Sequence, residues 1–235
     1  DDLKPYGLYQ ISADCAYGVL NKIKAKNIEE LSDVNAIARP GALSFLESYA
    51  LGNVDCPHPA FAEVLKPTRN LCLYQEQSSR MAVALGFSPE EGEIIRRIIG
   101  KKKVDEVKLW KDKIYKKAQE NGFSKEVADL FWKIVDDSSK YQFNLSHSIA
   151  TAYLGALTVY LKYKYPQQFY LACLNSTKEL PDCIDHISKI HKELNHFKIQ
   201  LLSPDILKSK IEFSIEDNNI RFGLAAIKNI AFKNF

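Results

Sequence analysis

The sequence predicts a mainly α-helical fold with a small β-hairpin extension at its C-terminal end. Three observations carry this expectation. Apolar residues recur at helical spacing through most of the first 198 positions; glycine, proline and asparagine cut that pattern into blocks; and only after Ile199 does a period-two alternation take over. With 235 residues, 46% hydrophobic and 26% charged, the chain has an ordinary globular composition and the length for one sizeable core or two small ones.

The blocks follow in order. Residues 14–25 place apolar side chains at 16, 19, 20 and 23, the spacing of an amphipathic helix, and Arg39-Pro40-Gly41 stops the helix after it. A short helix through 81–85 ends at Gly86. Ser88 as N-cap, Pro89 at the first helical position and a capping-box acid at Glu91 start the next, which reaches Ile99 with Gly100 as the residue that ends it. This puts Arg96 and Arg97 in its last turn and three lysines just beyond. Trp110, Ile114 and Ala118 mark a helix over 105–120, closed by Asn121-Gly122, and Ser124 opens another through Phe131, Trp132 and Val135. Residues 146–164 hold almost no charge, so the central buried helix is expected there. Pro166 and Pro181 begin two more. Residues 210–215 and 219–224 alternate around Glu216-Asp217-Asn218, a hairpin signal, and a helix begins at 225.

Net charge is only +3, yet between residues 96 and 117 ten Lys/Arg face three acids. Two readings stand: a footprint for polyanions, or a solvated helix face with counter-charges such as Asp112 near Lys108 and Lys116. The five cysteines are odd in number and lack CxxC spacing, so they read as reduced thiols of a cytoplasmic protein. His186, His191 and His196 stand five apart, not the three or four a helical metal pair wants, and no metal site is expected. No signal peptide or membrane span is visible; the longest uncharged run, 141–161, is too polar at its start. The chain opens on Asp1 and its one methionine is Met81, so a piece of a longer polypeptide or a processed product is expected.

Two adjacent arginines near a helix end, Arg96 and Arg97, can reach different oxygens of one polyphosphate, or merely complement the helix C-terminus. Tyr141, Asn144, Ser146 and His147 crowd polar side chains ahead of a long apolar helix; on residue chemistry alone His147 reads as a capping or core histidine. Tyr74, Gln75, Glu76 and Gln77 carry one carboxylate with no partner acid, and serve equally as a helix start or as a substrate contact. Arg39 suits a backbone phosphate or an ion pair.

The order of these segments resembles the fingers of the alpha subunit of bacterial DNA polymerase III, the C family of replicative polymerases. GLYQISA (7–13) resembles G-V-F-Q-L-E-S, IARPGAL (37–43) resembles L-x-R-P-G-P-L, YQEQ (74–77) matches outright, GEIIRRIIGKKK (92–103) resembles A-D-x-L-R-R-A-M-G-K-K, and YQFNLSHS (141–148) resembles Y-G-F-N-K-S-H-S. LKYKYPQQF (161–169) and the tail, SPDILKSKIEF (203–213) with IRFGLAAIK (220–228), continue the resemblance over nearly the whole chain. Departures fall at Ser12, Ser78-Ser79, Gly92-Glu93 and Leu145, where the family carries Glu, Val-Met, Ala-Asp and Lys, and the stretch between Leu43 and Leu71 is short. They mark a divergent member, of viral origin in one reading.

The resemblance implies a helical fingers domain at 1–198 and, at 199–235, a small extension leading to the next domain. It implies that Arg96 and Arg97 grip the triphosphate of an incoming dNTP, that Tyr141 and His147 lie at its sugar and base, and that Asn144 and Ser146 orient their loop. Arg39, Tyr74, Gln75, Glu76, Gln77, Lys101, Lys102 and Lys103 are further candidates for nucleotide or DNA contact. The catalytic aspartates that hold Mg2+ lie in the family's palm, ahead of the first matching motif, so this chain alone should bind and not catalyse. Implied partners are primer-template DNA, the palm and, through the full-length protein, a sliding clamp, with no membrane. Two rivals remain: a free-standing, non-catalytic basic helical module for nucleic acid, and a replisome-interacting paralogue without catalysis.

Overall fold

The computed structural model describes residues 5–101 and 104–227. Among them eleven α-helices and a three-stranded sheet form the mainly α fold the sequence predicts. The chain divides into two compact units, residues 13–153, and the segment up to residue 12 together with the segment from 154 onward.

The unit of residues 13–153 holds α1 (Asp14–Ile23), α2 (Ile28–Ile37), α3 (Leu46–Leu51), α4 (Ala62–Leu65), α5 (Gln75–Ala84), α6 (Pro89–Lys101), α7 (Val104–Glu120), α8 (Lys125–Ser138) and the start of α9 (Leu145–Lys164). Its interior has two clusters. One gathers Phe61, Leu65, Met81, Leu85, Ile95, Ile114 and Phe131; the other gathers Val19, Val34, Ile37, Tyr49, Leu73 and Tyr74. The start of α6 is fixed by the reciprocal capping its sequence encodes: Glu91 N–H donates to Ser88 Oγ at 3.2 Å and Ser88 N–H to Glu91 Oε2 at 2.9 Å.

Three expectations are corrected here. The helix through Met81 begins at Gln75, because the Gln77 side chain accepts from the backbone N–H groups of Leu73 and Tyr74 at 2.8 and 2.9 Å and so organises the first turn. Helix α6 runs through Gly100 to Lys101, so Gly100 does not end it and the two arginines precede its last turn. Ile95 and Ile98 are buried beneath this stretch, and their packing outweighs the roughly 1 kcal/mol a helical glycine costs. Nor is α9 the buried helix: Tyr153 is 61% exposed and Tyr160 56%, and Leu154 and Leu157 are exposed as well. The enclosed helix is α2, buried at every position from Leu31 to Ile37. Lack of charge misled, because three polar residues of α2 are paid for by hydrogen bonds: Ser32 Oγ pairs with Tyr74 Oη (2.8 Å), Tyr49 Oη and Tyr74 Oη donate to Asp33 (2.5 and 2.7 Å), and Asn35 Nδ2 donates to Thr151 Oγ1 (3.2 Å).

The second unit holds the rest of α9, α10 (Pro166–Ser176), α11 (Cys183–Leu194) and the sheet, around Tyr170, Leu174, Ile190, Leu194, Phe213 and Ile220. Helix α11 starts two residues after Pro181, once Asp182 has taken a left-handed turn at φ 54°. The predicted hairpin forms between β2 (Ser214–Glu216) and β3 (Asn219–Arg221), antiparallel, with Ile215 opposite Ile220 and a two-residue turn opened by Asp217 at φ 51°. A strand the sequence did not announce, β1 (Leu201–Leu202), pairs parallel with β3, giving the order β1-β3-β2. The helix expected from 225 is, over its described part, a 3-10 turn at Leu224–Ala226. Inside this unit the buried Lys162 donates to Glu193 Oε1 (2.7 Å) and to the Tyr6 carbonyl (2.8 Å), and burial pushes its ammonium down from the ordinary lysine range.

Candidate functional site

Two motifs far apart in the chain meet first through backbone. Phe143 N–H donates to the Leu73 carbonyl and Gln75 N–H donates to the Phe143 carbonyl, both at 2.9 Å, so Tyr74 and Phe143 form a parallel bridge. This sets the starts of α5 and α9 beside each other. Tyr74 and Gln77 turn inward: both are buried, Tyr74 donating to Asp33, and Gln77 Nε2 donating to Thr68 Oγ1 at 2.6 Å. Gln75 and Glu76, half-buried, are left at the surface.

Glu76 ties the two starts together. Its Oε1 accepts from Asn144 Nδ2 at 2.8 Å and its Oε2 from the Leu145 backbone N–H at 3.0 Å. Asn144 in turn caps α9, its Oδ1 accepting from the His147 backbone N–H (2.8 Å) and from Ser146 Oγ (2.7 Å). The His147 side chain is exposed, and its ring stands, at 5.4 Å between centroids, perpendicular to the Phe143 ring. The Arg39 guanidinium lies over the same ring at 4.3 Å and makes no ion pair among the described residues. Tyr141 packs on Phe45 at 4.7 Å, half-buried, and burial raises its hydroxyl above the ordinary tyrosine range.

Arg96 reaches α5 from α6: its Nη1 donates to Gln75 Oε1 at 3.1 Å, while Nε and Nη2 donate to Glu93 Oε2 and Oε1 at 2.9 and 2.5 Å. Arg97 Nε donates to the same Glu93 Oε1 at 3.0 Å, and Ser79 Oγ to Oε2 at 3.2 Å. Hydrogen bonding from Arg96, reinforced by Arg97, holds the Glu93 carboxyl down at about 2. The helices approach closely because residue 92 is glycine; a Cβ there would stand 2.7 Å from the Ser79 carbonyl oxygen. Lys101 closes α6, and Lys102 and Lys103 lie outside the described residues.

The structure thus brings Gln75, Glu76, Arg96, Asn144, Ser146 and His147 into one connected surface with Arg39, and places Tyr74 and Gln77 beneath it. Residue reasoning missed Glu93, although its i+3 and i+4 spacing to the two arginines was the signal, and it missed Gln142, which donates to Ser138 Oγ at 2.7 Å and to Ser78 Oγ. Two of the three serines that depart from the quoted family pattern are used here: Ser78 accepts from Gln142 and Ser79 donates to Glu93. Among the described residues no group of three or more His, Cys, Asp or Glu stands ready to hold a metal ion, and no helix is long and apolar enough to cross a membrane.

A mainly helical domain with these motifs in this order is of the polymerase finger class. The family model of the bacterial DNA polymerase III alpha subunit finger domain matches residues 2–122, and a model described as a helix-hairpin-helix motif matches residues 198–234. The chain belongs to the bacterial DNA polymerase III alpha subunit family. It is 35% identical to DNA polymerase III subunit alpha of Aquifex aeolicus strain VF5 over 236 residues, 97% of this chain and 20% of that protein. The same subunit of Borreliella burgdorferi strain B31 is 35% identical over 229 residues, 95% of this chain and 20% of that one, and that of Caulobacter vibrioides 29% identical over 248 residues, 99% and 21%. The chain thus spans about a fifth of the length of the curated relatives it matches. Over its described part, the helix-hairpin-helix match falls on the three-stranded sheet and the 3-10 turn after it.

Proposed function

We propose that this chain is the nucleotide- and DNA-binding fingers of a replicative DNA-directed DNA polymerase, and that it positions an incoming dNTP for transfer in a palm domain outside it. The observation that carries the reading is the side-chain connection Arg96–Gln75 and Glu76–Asn144, which makes one surface of the α6 arginines and the starts of α5 and α9. Helix N-termini and arginine forks both favour anions. In this reading Arg96 and Arg97 grip the triphosphate, and Tyr141 and His147 lie at the base and sugar. The His147 ring stands against C2′, where a ribonucleotide's hydroxyl would collide. Asn144 and Ser146 hold the loop.

Arg39 and Lys101 to Lys103 neutralise phosphates of primer-template DNA without reading bases, and the segment from 198 on, with its helix-hairpin-helix match, adds DNA contact. In this reading the two magnesium ions and the carboxylates that hold them belong to the palm. The chain alone therefore binds and does not catalyse. A sliding clamp acts through the full-length protein, and the five free cysteines suit a cytoplasmic setting.

Photocrosslinking of an azido-dATP to the purified chain with primer-template tests the reading. Label should fall on residues 141–148, assigned to the base and sugar, and be lost when Arg96 and Arg97, assigned to the triphosphate, are both replaced by alanine. Label spread without preference, and unaffected by the double replacement, would refute it.

A further inference from the structure

Four donors converge on one carboxylate in this site, and that is the coordination an anion's oxygens would receive. Arg96 approaches Glu93 two-pronged, Arg97 adds a third nitrogen, and Ser79 Oγ the fourth donor, all between 2.5 and 3.2 Å. We propose that Glu93 is a stand-in for the ligand phosphate: it holds both arginines in their binding arrangement while the site is empty and yields them when a polyphosphate arrives. The inference rests on the reading of Arg96 and Arg97 as the phosphate grip and adds a positioning residue to it.

Accessibility favours exchange. The Glu93 side chain is 39% exposed and that of Arg97 63%, so a dissolved anion reaches the pair directly, whereas Arg96, at 23%, is kept in register by Gln75 when its acid leaves. Magnitudes favour it as well, since exposed ion pairs contribute little, whereas guanidinium bonds to phosphate are charge-assisted and two-pronged. Glu93 is held ionised throughout the neutral range and so competes as an anion. A cation beside a helix end needs no such acid. A pair of arginines waiting for an anion does, because without it their side chains would lose the shared geometry to rotamer freedom.

Titration calorimetry with inorganic tripolyphosphate on the 235-residue chain tests this, using the wild type, E93Q, E90Q and the Arg96→Ala/Arg97→Ala double variant, with melting temperatures measured alongside. Glu90 lies on the same helix and touches neither arginine, so E90Q makes the same change of net charge without freeing the forks. The expected result is that E93Q lowers the unliganded melting temperature yet tightens tripolyphosphate binding by about threefold or more, that E90Q changes affinity by much less, and that the double variant loses binding. If E93Q weakens binding or leaves it unchanged while the double variant still abolishes it, Glu93 is merely structural and only this inference falls. Equal gains from E93Q and E90Q also overturn it, as a general charge effect. Binding that survives the double variant, or is absent from wild type and E93Q alike, overturns the phosphate grip itself. An E93A chain, run if E93Q melts before the titration temperature, should give the same order.

Discussion

Glu76 and Asn144 stand 68 residues apart in the chain and 2.8 Å apart in the fold, and that bond helps the YQEQ segment set the start of α9. Because Glu76 also accepts from the Leu145 backbone, Glu76→Ala orphans two donors and should cost about 1–2 kcal/mol in urea unfolding. Asn144→Ala should cost a similar amount. The double variant should fall short of the sum by about 0.5–1.5 kcal/mol; strict additivity would show that the two do not act together.

The arginines should separate in stability. Arg96 bridges α5 and α6 through Gln75 and Glu93, so Arg96→Ala should lower stability by about 1 kcal/mol, whereas Arg97, exposed and paired among the described residues with Glu93, should cost about 0.5 kcal/mol or less. Equal losses in thermal unfolding would contradict the bridging role.

Two carboxylates should shape the pH profile in opposite directions. Burial raises Asp33 from 3.8 to about 6 against the hydrogen bonds of Tyr49 and Tyr74, so between those values the folded chain binds a proton that the unfolded chain does not. Its contribution therefore falls as pH rises through that window and is constant above it. Glu93, held at about 2, stabilises above its ordinary value of 4.5 and loses that contribution as pH falls toward 2. Asp33→Asn should gain on wild type by about 2–3 kcal/mol between pH 4 and pH 7. A pH-independent difference between the two chains would place the Asp33 titration elsewhere.

His147 donates its backbone N–H to Asn144 and keeps its ring outside, so His147→Ala should leave stability within about 0.5 kcal/mol. In the full-length polymerase the ratio of kcat/KM for a deoxynucleotide to that for the matching ribonucleotide should fall, because a steric clash has been removed. An unchanged ratio would assign the ring to packing on Phe143 alone.

Much of this architecture is written locally. The capping box at Ser88-Pro89-Glu90-Glu91 starts α6 where it stands, and Glu216-Asp217-Asn218 turns the hairpin, because both depend on neighbours in the chain. What escaped is non-local. Strand β1 is two residues long and exists only through its pairing with β3; α5 begins early because Gln77 satisfies backbone that periodicity does not see; and α2 is enclosed despite Ser32, Asp33 and Asn35 because their partners come from Tyr49, Tyr74 and Thr151. Within the site the motif residues could be picked out in order. The acid that holds both arginines was open to the same reading through its i+3 and i+4 spacing on α6, whereas the backbone bridge at Phe143 was not, since it needs the fold to bring its partners together.

The central claim is that the α6 arginines bind the triphosphate, and Arg97 tests it most directly because its exposure separates function from folding. In the full-length polymerase, Arg97→Ala should lower kcat/KM for a correct dNTP by about tenfold or more, the worth of a charge-assisted phosphate bond, with the melting temperature within about 1 °C of wild type. An unchanged kcat/KM at that unchanged stability would contradict the assignment of this surface to the nucleotide.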